Sequence, residues 1–430
     1  MMHQRKFATF ALLALGLSGS STSTAQSPLL PEAAGKESPL SLQDCRQKVG
    51  NNNLSLRRLK QQISSAEADL ASSKAGYLPI LHGGIALETT PSGVHTPNNR
   101  QISLQFSLPI FEGFKTRYSL ERSQAELKRS NADFSQGELS SLYQLESTYH
   151  QLYFEQQRSL LLEGISKRLR QQLLLMKLKY QSGLEAQWAV TKAEADLGDA
   201  TLDLRQSTEI RRSLSEQLSL LMGEENNQRE IQTISDFTAN PLKTVPSDLG
   251  EVLADHPELQ SLHQQVESSH AAIRVARADY WPKVAVNSTF QRPFGSAPEE
   301  QGTWSIGISA DFPLINPSTT PAVHKASAIR VIAQLSEEER RLSLLLELKA
   351  ALASYEISLA AFTAAQFRLR AAQQREFTID QEYTAGLRTF VEWEQAQQQL
   401  IQAEKTTLSA QQNAALALDL LTFKSARKLL

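Results

Sequence analysis

The sequence has little of the chemistry on which catalytic and metal-binding proteins depend. Cys45 is the only cysteine among 430 residues, which excludes an internal disulfide and a metal site built from several thiolates. The formal charge of -2 does not indicate a nucleic-acid partner. A glycine-rich phosphate loop, paired zinc ligands and a nucleophile elbow are all missing from the sequence. We therefore expect no enzymatic activity, no cofactor and no nucleic-acid binding.

Three of the few histidines follow one another at seven-residue intervals. His256, His263 and His270 would lie on one face of a helix in steps of about 10 Å. Shared metal coordination needs ligands three or four residues apart on a helix. The spacing therefore predicts surface histidines rather than a metal site.

Long hydrophobic runs are also lacking, and the longest one is close to the N-terminus. It extends over residues 7–17 and follows Arg5 and Lys6, whereas a bilayer span needs roughly 20 apolar residues. Ser23-Thr24-Ala25 has the small-x-small pattern of a cleavage site. We predict a signal peptide over residues 1–25 and an extended, proline-containing leader over residues 26–40.

The chain contains an internal duplication, which is its most informative feature. A set of landmarks recurs at an offset of 203 residues, and in both copies a long helical pattern ends at a glycine, the usual helix stop. The duplication predicts a first repeat over 41–223 with a hairpin tip near 183, a linker over 224–247, and a second repeat over 248–425 with a tip near 386. The matched pairs are Tyr180 and Tyr383, Gly183 and Gly386, Leu184 and Leu387, Ala193 and Ala396, and Leu197 and Leu400.

Each repeat also interrupts its helical pattern with two stretches in which apolar and polar residues alternate. These stretches lie at about 80–109 and about 282–313, and a period of two predicts strands. The few glycines and prolines and the long 3.5-residue periodicity elsewhere predict long coiled-coil helices. The expected fold is therefore mainly α with a small β part.

The strands allow two interpretations. Their apolar face could meet the core of a soluble sandwich, or it could face lipid, since a tilted strand of about 9 to 11 residues crosses a bilayer. Bacterial barrels need at least about eight strands and cannot leave an edge open to lipid. Four strands per chain would then require partner chains, and these arguments do not choose between a dimer and a trimer.

Several of the duplicated motifs resemble the TolC family of outer membrane efflux proteins over residues 41–425. They are the two Tyr-x-x-Gly-Leu tips, the Ala-x-x-x-Leu after each, the Tyr-x-Pro before each strand pair, and residues 109–113, Pro-Ile-Phe-Glu-Gly. The resemblance implies a homotrimeric tube in the outer membrane that extends into the periplasm, with a transmembrane β-barrel of four strands per chain and a coiled-coil α-barrel. It also implies an exit duct of a tripartite efflux or type I secretion system.

The same resemblance implies partners and site residues. An inner-membrane transporter would drive export, and a periplasmic adaptor would contact the hairpin tips at Gly183, Leu184, Gly386 and Leu387, although these residues could equally serve only as turns. The periplasmic aperture would involve Tyr383, Arg388, Glu392 and Gln395. Gln395 stands where the family has an acid, and Ala189 replaces an aspartate that pairs with arginine in the family, so one closing ion pair is missing.

One alternative belongs to a different class of protein. A periplasmic adaptor or coiled-coil scaffold would also be exported and rich in long helices, without crossing a membrane. Such proteins usually carry one helical hairpin, whereas this sequence duplicates the hairpin together with a strand pair. The sequence does not identify the exported substrate.

Overall fold

The computed structural model describes residues 40–89, 98–224, 231–234, 249–293 and 301–426. The predicted signal peptide, almost all of the leader and most of the predicted linker lie outside these ranges. The elements are α1 (Leu42–Asn52), α2 (Leu54–Ala75), β1 (Ile80–Thr89), β2 (Asn98–Glu112), α3 (Lys115–Gln181), α4 (Gln187–Leu221), α5 (Leu249–Leu253), α6 (Pro257–Arg277), a 3₁₀ turn (Ala278–Tyr280), β3 (Lys283–Pro293), β4 (Thr303–Asp311), α7 (Thr319–Thr384) and α8 (Phe390–Lys424).

Two helices are much longer than those of ordinary globular domains. Helix α3 has 67 residues and α7 has 66, so each extends for about 100 Å at the usual rise per residue. Helix α3 contains no proline, and the proline of α7 lies in its first turn, where it interrupts no helical hydrogen bond. The expectation of a mainly α fold with a small β part is confirmed.

The apolar core is divided into clusters placed along these helices. One cluster joins α1 and α2 to α3 and α4, with Cys45, Tyr149 and Leu218 at its centre. The Tyr149 hydroxyl is within 2.8 Å of the Leu40 carbonyl oxygen, and the Ile234 amide donates to that hydroxyl at 3.1 Å. Burial raises the pKa of Cys45 to about 11, so its thiol is a neutral packing group. A second cluster packs α5 against α7 and α8.

The four strands form one antiparallel sheet in the order β1-β2-β3-β4. Pro109 was expected to end the second strand, but β2 continues to Glu112. The register against β3 shifts between Pro109 and Phe111. The extra residue at this bulge is Ile110, directly after Pro109, and the strand continues beyond it.

The two faces of the sheet differ sharply in polarity. Residues paired across the strands share a face, and one such row joins Gly83, Leu104, Phe290 and Trp304. The opposite face carries Ser107, whose hydroxyl donates to Asn287 at 2.9 Å. Every residue of β4 is exposed, so the apolar face has no cover within the described chain.

None of the helices in the described ranges combines the length and the apolarity that a membrane span requires.

Candidate functional site

Both helical hairpins turn through the same backbone motif. Gly183 has a φ of 73° and Gly386 a φ of 74°, which is the left-handed region that favours glycine. The amide of Leu184 donates to the Lys179 carbonyl at 2.9 Å, and the amide of Leu387 donates to the Glu382 carbonyl at 2.8 Å. These bonds over five residues are those of a Schellman motif, which satisfies carbonyl groups at a helix end.

The tips carry exposed leucines. Leu184 is 74% exposed and Leu387 is 76% exposed. A Cβ atom added at Gly183 or Gly386 would meet no described atom within 4 Å, so both turns project away from the rest of the chain. Each hairpin therefore presents an exposed leucine at its turn.

A buried aromatic cluster joins the two hairpins just behind the tips. Its buried members are Met176, Ala189, Ala193, Tyr383, Phe390 and Trp393. The rings of Tyr383 and Trp393 are stacked, with centroids 4.8 Å apart and planes inclined by 20°. Because Ala189 is fully buried in this cluster, an aspartate there would have to be desolvated or displace the aromatic rings.

Tyr383 makes a polar contact with the other hairpin as well. Its hydroxyl donates to Oε1 of Glu185 at 2.8 Å, and the Lys179 ammonium lies 3.7 Å from the centroid of its ring. Burial, and then the neighbouring Glu185 carboxylate, raise the pKa of Tyr383 above its usual value. The hydroxyl thus stays protonated and remains a donor to Glu185.

Arg388 and Glu392 form an ion pair on the exposed side of the second hairpin. The distance between Arg388 Nη1 and Glu392 Oε1 is 2.9 Å, and Arg388 Nε is 2.7 Å from Glu382 Oε2. Glu392 also accepts hydrogen bonds from the amide and hydroxyl of Thr389 in a capping box at the start of α8. The hydrogen bond from the Thr389 amide, followed by the one from the Thr389 hydroxyl, holds the pKa of Glu392 below its usual value.

The residues predicted for the aperture thus divide into two groups. Arg388, Glu392 and Gln395 all lie on the solvent side of the second hairpin, Glu392 being partly shielded. Tyr383 is only 5% exposed and packs against the first hairpin. The structure brings Arg388 and Glu392 together, but it places Tyr383 in a separate, buried contact.

Further contacts between the hairpins were not anticipated from the sequence. Lys192 on α4 lies 2.9 Å from Glu394 on α8, and Lys405 lies 2.6 Å from Asp203. Burial lowers the pKa of Lys192, but its hydrogen bonds to Asp196 and Glu394 outweigh this and raise it overall. The aromatic spacing of Phe390 and Trp393 could have indicated the buried cluster. The cross-hairpin ion pairs have no such periodic signal.

The prediction of surface histidines is wrong for His256, which is buried. His256 accepts a hydrogen bond from the Glu258 amide as the N-cap of α6, and burial lowers its pKa. His263 lies 3.3 Å from Glu337 on α7. In the part of the chain that the structure describes, no three histidine, cysteine, aspartate or glutamate side chains are grouped to hold a metal ion.

Comparison with known families identifies the fold. The model of the family described as Outer membrane efflux protein matches residues 45–224 and 249–423, which together are most of the sequence. The chain belongs to the outer membrane efflux protein family. The match includes both helical hairpins and both strand pairs, so membership in this efflux family favours an exit duct in the outer membrane and not a periplasmic adaptor or scaffold.

Known relatives are distant in sequence. The outer membrane efflux protein BepC of Brucella suis biovar 1 (strain 1330) is 20% identical over 386 residues, which are 86% of this chain and 82% of BepC. Nodulation protein T of Rhizobium leguminosarum bv. trifolii is 21% identical over 283 residues, which are 62% of this chain and 59% of that protein.

Solved structures share the fold closely. The CmeC outer membrane channel of Campylobacter jejuni superposes with a TM-score of 0.81 at 16% identity, over 90% of this chain and 85% of CmeC. The MtrE outer membrane channel of Neisseria gonorrhoeae gives a TM-score of 0.75 at 19% identity, over 89% and 88% of the two chains. The helical hairpins and the four-stranded sheet are therefore a TolC-like architecture.

Proposed function

We propose that this chain forms the exit duct of a tripartite efflux or type I secretion system as a homotrimer. The observation that supports this most is the sheet, whose apolar face and whose outer edges at β1 and β4 have no partner within the described residues. An open edge in lipid leaves backbone amides and carbonyls unsatisfied at a cost of several kcal/mol each. Three chains would supply twelve strands and close the barrel.

The long helices fit the same assembly. Helices α3 and α7, each about 100 Å long, continue from the strand pairs toward the hairpin tips. Exposed apolar side chains on α7, such as Ile332, Leu346 and Ile357, would pack against neighbouring chains. We infer that residues 41–223 and 248–425 are structural repeats, because each half has the same order of helix, strand pair, long helix, turn and helix.

The tips are the proposed contact with a periplasmic adaptor that in turn meets an inner-membrane transporter. Leu184 and Leu387 support this, because two exposed leucines at equivalent turns offer matched apolar contacts. A photo-crosslinker placed at either leucine should capture the adaptor, whereas one at Leu314, 91% exposed beyond β4, should not. Equal capture at all three positions would contradict the assignment.

The aperture proposal rests on Arg388, Glu392 and Gln395, with Tyr383 behind them. Because Arg388 already pairs with Glu382 and Glu392 in its own hairpin, we infer that it restrains the shape of that tip. The buried contact of Tyr383 with Glu185 then holds the second hairpin to the first. Opening of the aperture would require either that this contact breaks or that the two hairpins move together.

Membrane fractionation tests the assembly directly. The full chain, expressed in a Gram-negative host, should be recovered with the outer membrane. It should migrate as an oligomer of about three chains in mild detergent and as a monomer after boiling. In planar bilayers the purified oligomer should form ion-conducting channels. Recovery as a soluble monomer would overturn the proposal.

A further inference from the structure

Two arginines interrupt the apolar face of the sheet at one end. Arg100 on β2 pairs with Leu87 on β1, and Arg292 on β3 pairs with Ile102 on β2. Because paired residues share a face, both guanidinium groups belong to the apolar face. They are diagonal neighbours on adjacent strands, which places their side chains about 7 to 8 Å apart at the base and within mutual reach.

Neither arginine is neutralised within the described residues. Both side chains are exposed, and no described carboxylate lies within ion-pair distance of either guanidinium. At the opposite end of the sheet, by contrast, Lys115 and Lys283 both approach Asp279, at 3.5 Å and 3.4 Å. Among the described residues, the two arginines thus place two positive charges without a carboxylate partner beside apolar surface.

Their position along the strand corresponds to a membrane boundary. The apolar row on β2 extends from Ile102 to Phe111, about 30 Å along the strand. After the usual tilt this is close to the apolar band of about 25 Å in outer-membrane barrels. An arginine at the midplane is strongly destabilising, whereas an arginine at the boundary is tolerated.

The two ends of the apolar face carry different chemistry. The end near the helices has exposed aromatic residues, including Tyr77, Tyr280 and Trp281, as expected where amphipathic rings meet headgroups. The other end combines Arg100 and Arg292 with Trp304, which is 67% exposed. Gly302 lies beside Arg292 and close to the Phe290 ring, because a Cβ atom added at Gly302 would be 3.1 Å from that ring. The absence of a side chain at Gly302 therefore leaves the Phe290 ring uncovered on this side.

We propose that Arg100 and Arg292 together bind a phosphate group of an anionic lipid in the outer leaflet of the outer membrane. Arginine presents donors in a fork that fits phosphate oxygens in a bidentate manner, and Phe290 and Trp304 provide apolar surface next to it for the acyl chains. The inference rests on the proposed function, because it needs this end of the sheet to face outward in a barrel. Beyond the proposed function, the inference identifies a class of lipid that the protein binds and the two residues that select this lipid.

The test compares lipids that differ only in phosphate. The purified oligomer would be placed in phosphatidylcholine nanodiscs containing either bis-phosphorylated lipid A or its dephosphorylated form. Lipid binding would be measured by native mass spectrometry, and stability by the temperature at which the oligomer dissociates. We expect lipid A to bind and to raise that temperature. The double variant Arg100→Gln/Arg292→Gln should bind it about tenfold more weakly, from the loss of charge-assisted hydrogen bonds.

Two single variants, each of which removes one positive charge away from the proposed site, serve as controls. Arg212→Gln removes an exposed arginine of α4, and Lys283→Gln removes a cation at the other end of β3, so both should bind lipid A as the wild type does. Equal binding of dephosphorylated lipid A, or unchanged binding by the double variant, would overturn the inference. Equal stabilisation by millimolar inorganic phosphate would overturn the assignment to a lipid.

The outcome separates this inference from the proposed function. If the double variant still reaches the outer membrane as a channel-forming oligomer and binds lipid A normally, only the lipid site is wrong. If the wild-type chain does not reach the outer membrane, the proposed function itself fails.

Discussion

At the tip of each hairpin, a single residue without a side chain determines how the backbone turns. Gly386 has a φ of 74°, and an L-residue in that region is strained by about 1 to 2 kcal/mol. We therefore expect Gly386→Ala to destabilise the tip by about 1 kcal/mol. Hydrogen exchange at the Leu387 amide, which bonds to the Glu382 carbonyl, should become faster.

Gly198 provides the matched control. It lies inside α4, and a Cβ there would meet nothing within 4 Å. Gly198→Ala should stabilise the helix by about 0.5 to 1 kcal/mol, because glycine is a poor helix former. The two substitutions are chemically identical, so effects of the same sign would show that backbone conformation does not govern the tip.

A second residue-scale prediction concerns the contact between the hairpins. Tyr383→Phe removes the hydroxyl that donates to Glu185 but keeps the ring that stacks on Trp393. A double-mutant cycle with Glu185→Ala should give a coupling free energy of about 1 kcal/mol. The readout is protection from hydrogen exchange in the first turns of α8. Additive effects would mean that the hydrogen bond does not hold the hairpins together.

At the scale of elements, an ionic network fixes α6, α7 and α8 to one another. Arg340 on α7 is 2.6 Å from Glu258 on α6 and 2.7 Å from Glu347 on its own helix. Lys424 on α8 is 2.5 Å from Glu347. Burial by itself raises the pKa of Glu347, but hydrogen bonds from Lys424 and Arg340 outweigh it and lower the value to about 2.

This shift predicts a specific acid sensitivity. The pKa of Glu347 falls from 4.5 to about 2 on folding, so its contribution to stability is complete above pH 4.5 and is lost as the pH falls toward 2. Glu347→Gln should therefore lower the free energy of unfolding near neutral pH. Between pH 4.5 and about 2, the free energy of unfolding of this variant should fall less steeply than that of the wild type. Unfolding followed by circular dichroism measures this.

The same helix offers a control for the acid experiment. Glu356 is exposed on α7, and Glu356→Gln should leave the acid profile of the wild type unchanged. If Glu347→Gln also follows the wild-type profile, the network does not stabilise the junction of these helices.

Elements with a strict period could be predicted from the sequence, whereas the contacts between them could not. The alternation from Thr303 to Asp311 predicts β4, and the glycine at each tip predicts the turn, because both signals are local. The end of β2 was predicted wrongly at Pro109, because the strand continues through a bulge at Ile110 that has no periodic signal. The hydrogen bond between Tyr383 and Glu185 depends on how the two hairpins pack against each other. The two residues are far apart in the sequence, and no sequence periodicity relates them.

At the scale of the whole molecule, the polarity of the sheet connects sequence to assembly. Successive residues of β4 point to opposite faces, and all of them are exposed in the single chain. If three chains close a barrel, one set faces lipid and the other faces the lumen. Neighbouring residues of one strand should then respond in opposite ways to the same charge.

Ile308 and Gly307 test this contrast. Ile308 is 76% exposed on the apolar face near the middle of β4, and Ile308→Lys should cost about 2 to 4 kcal/mol if that face meets lipid. Gly307 pairs with Asn287 on the polar face, and a Cβ there would meet nothing within 4 Å, so Gly307→Lys should be tolerated. The measurement is the amount of heat-modifiable oligomer in the outer membrane. Ile308→Lys should reduce the amount of this oligomer, and Gly307→Lys should not. Equal tolerance of the two substitutions would show that the apolar face does not meet lipid.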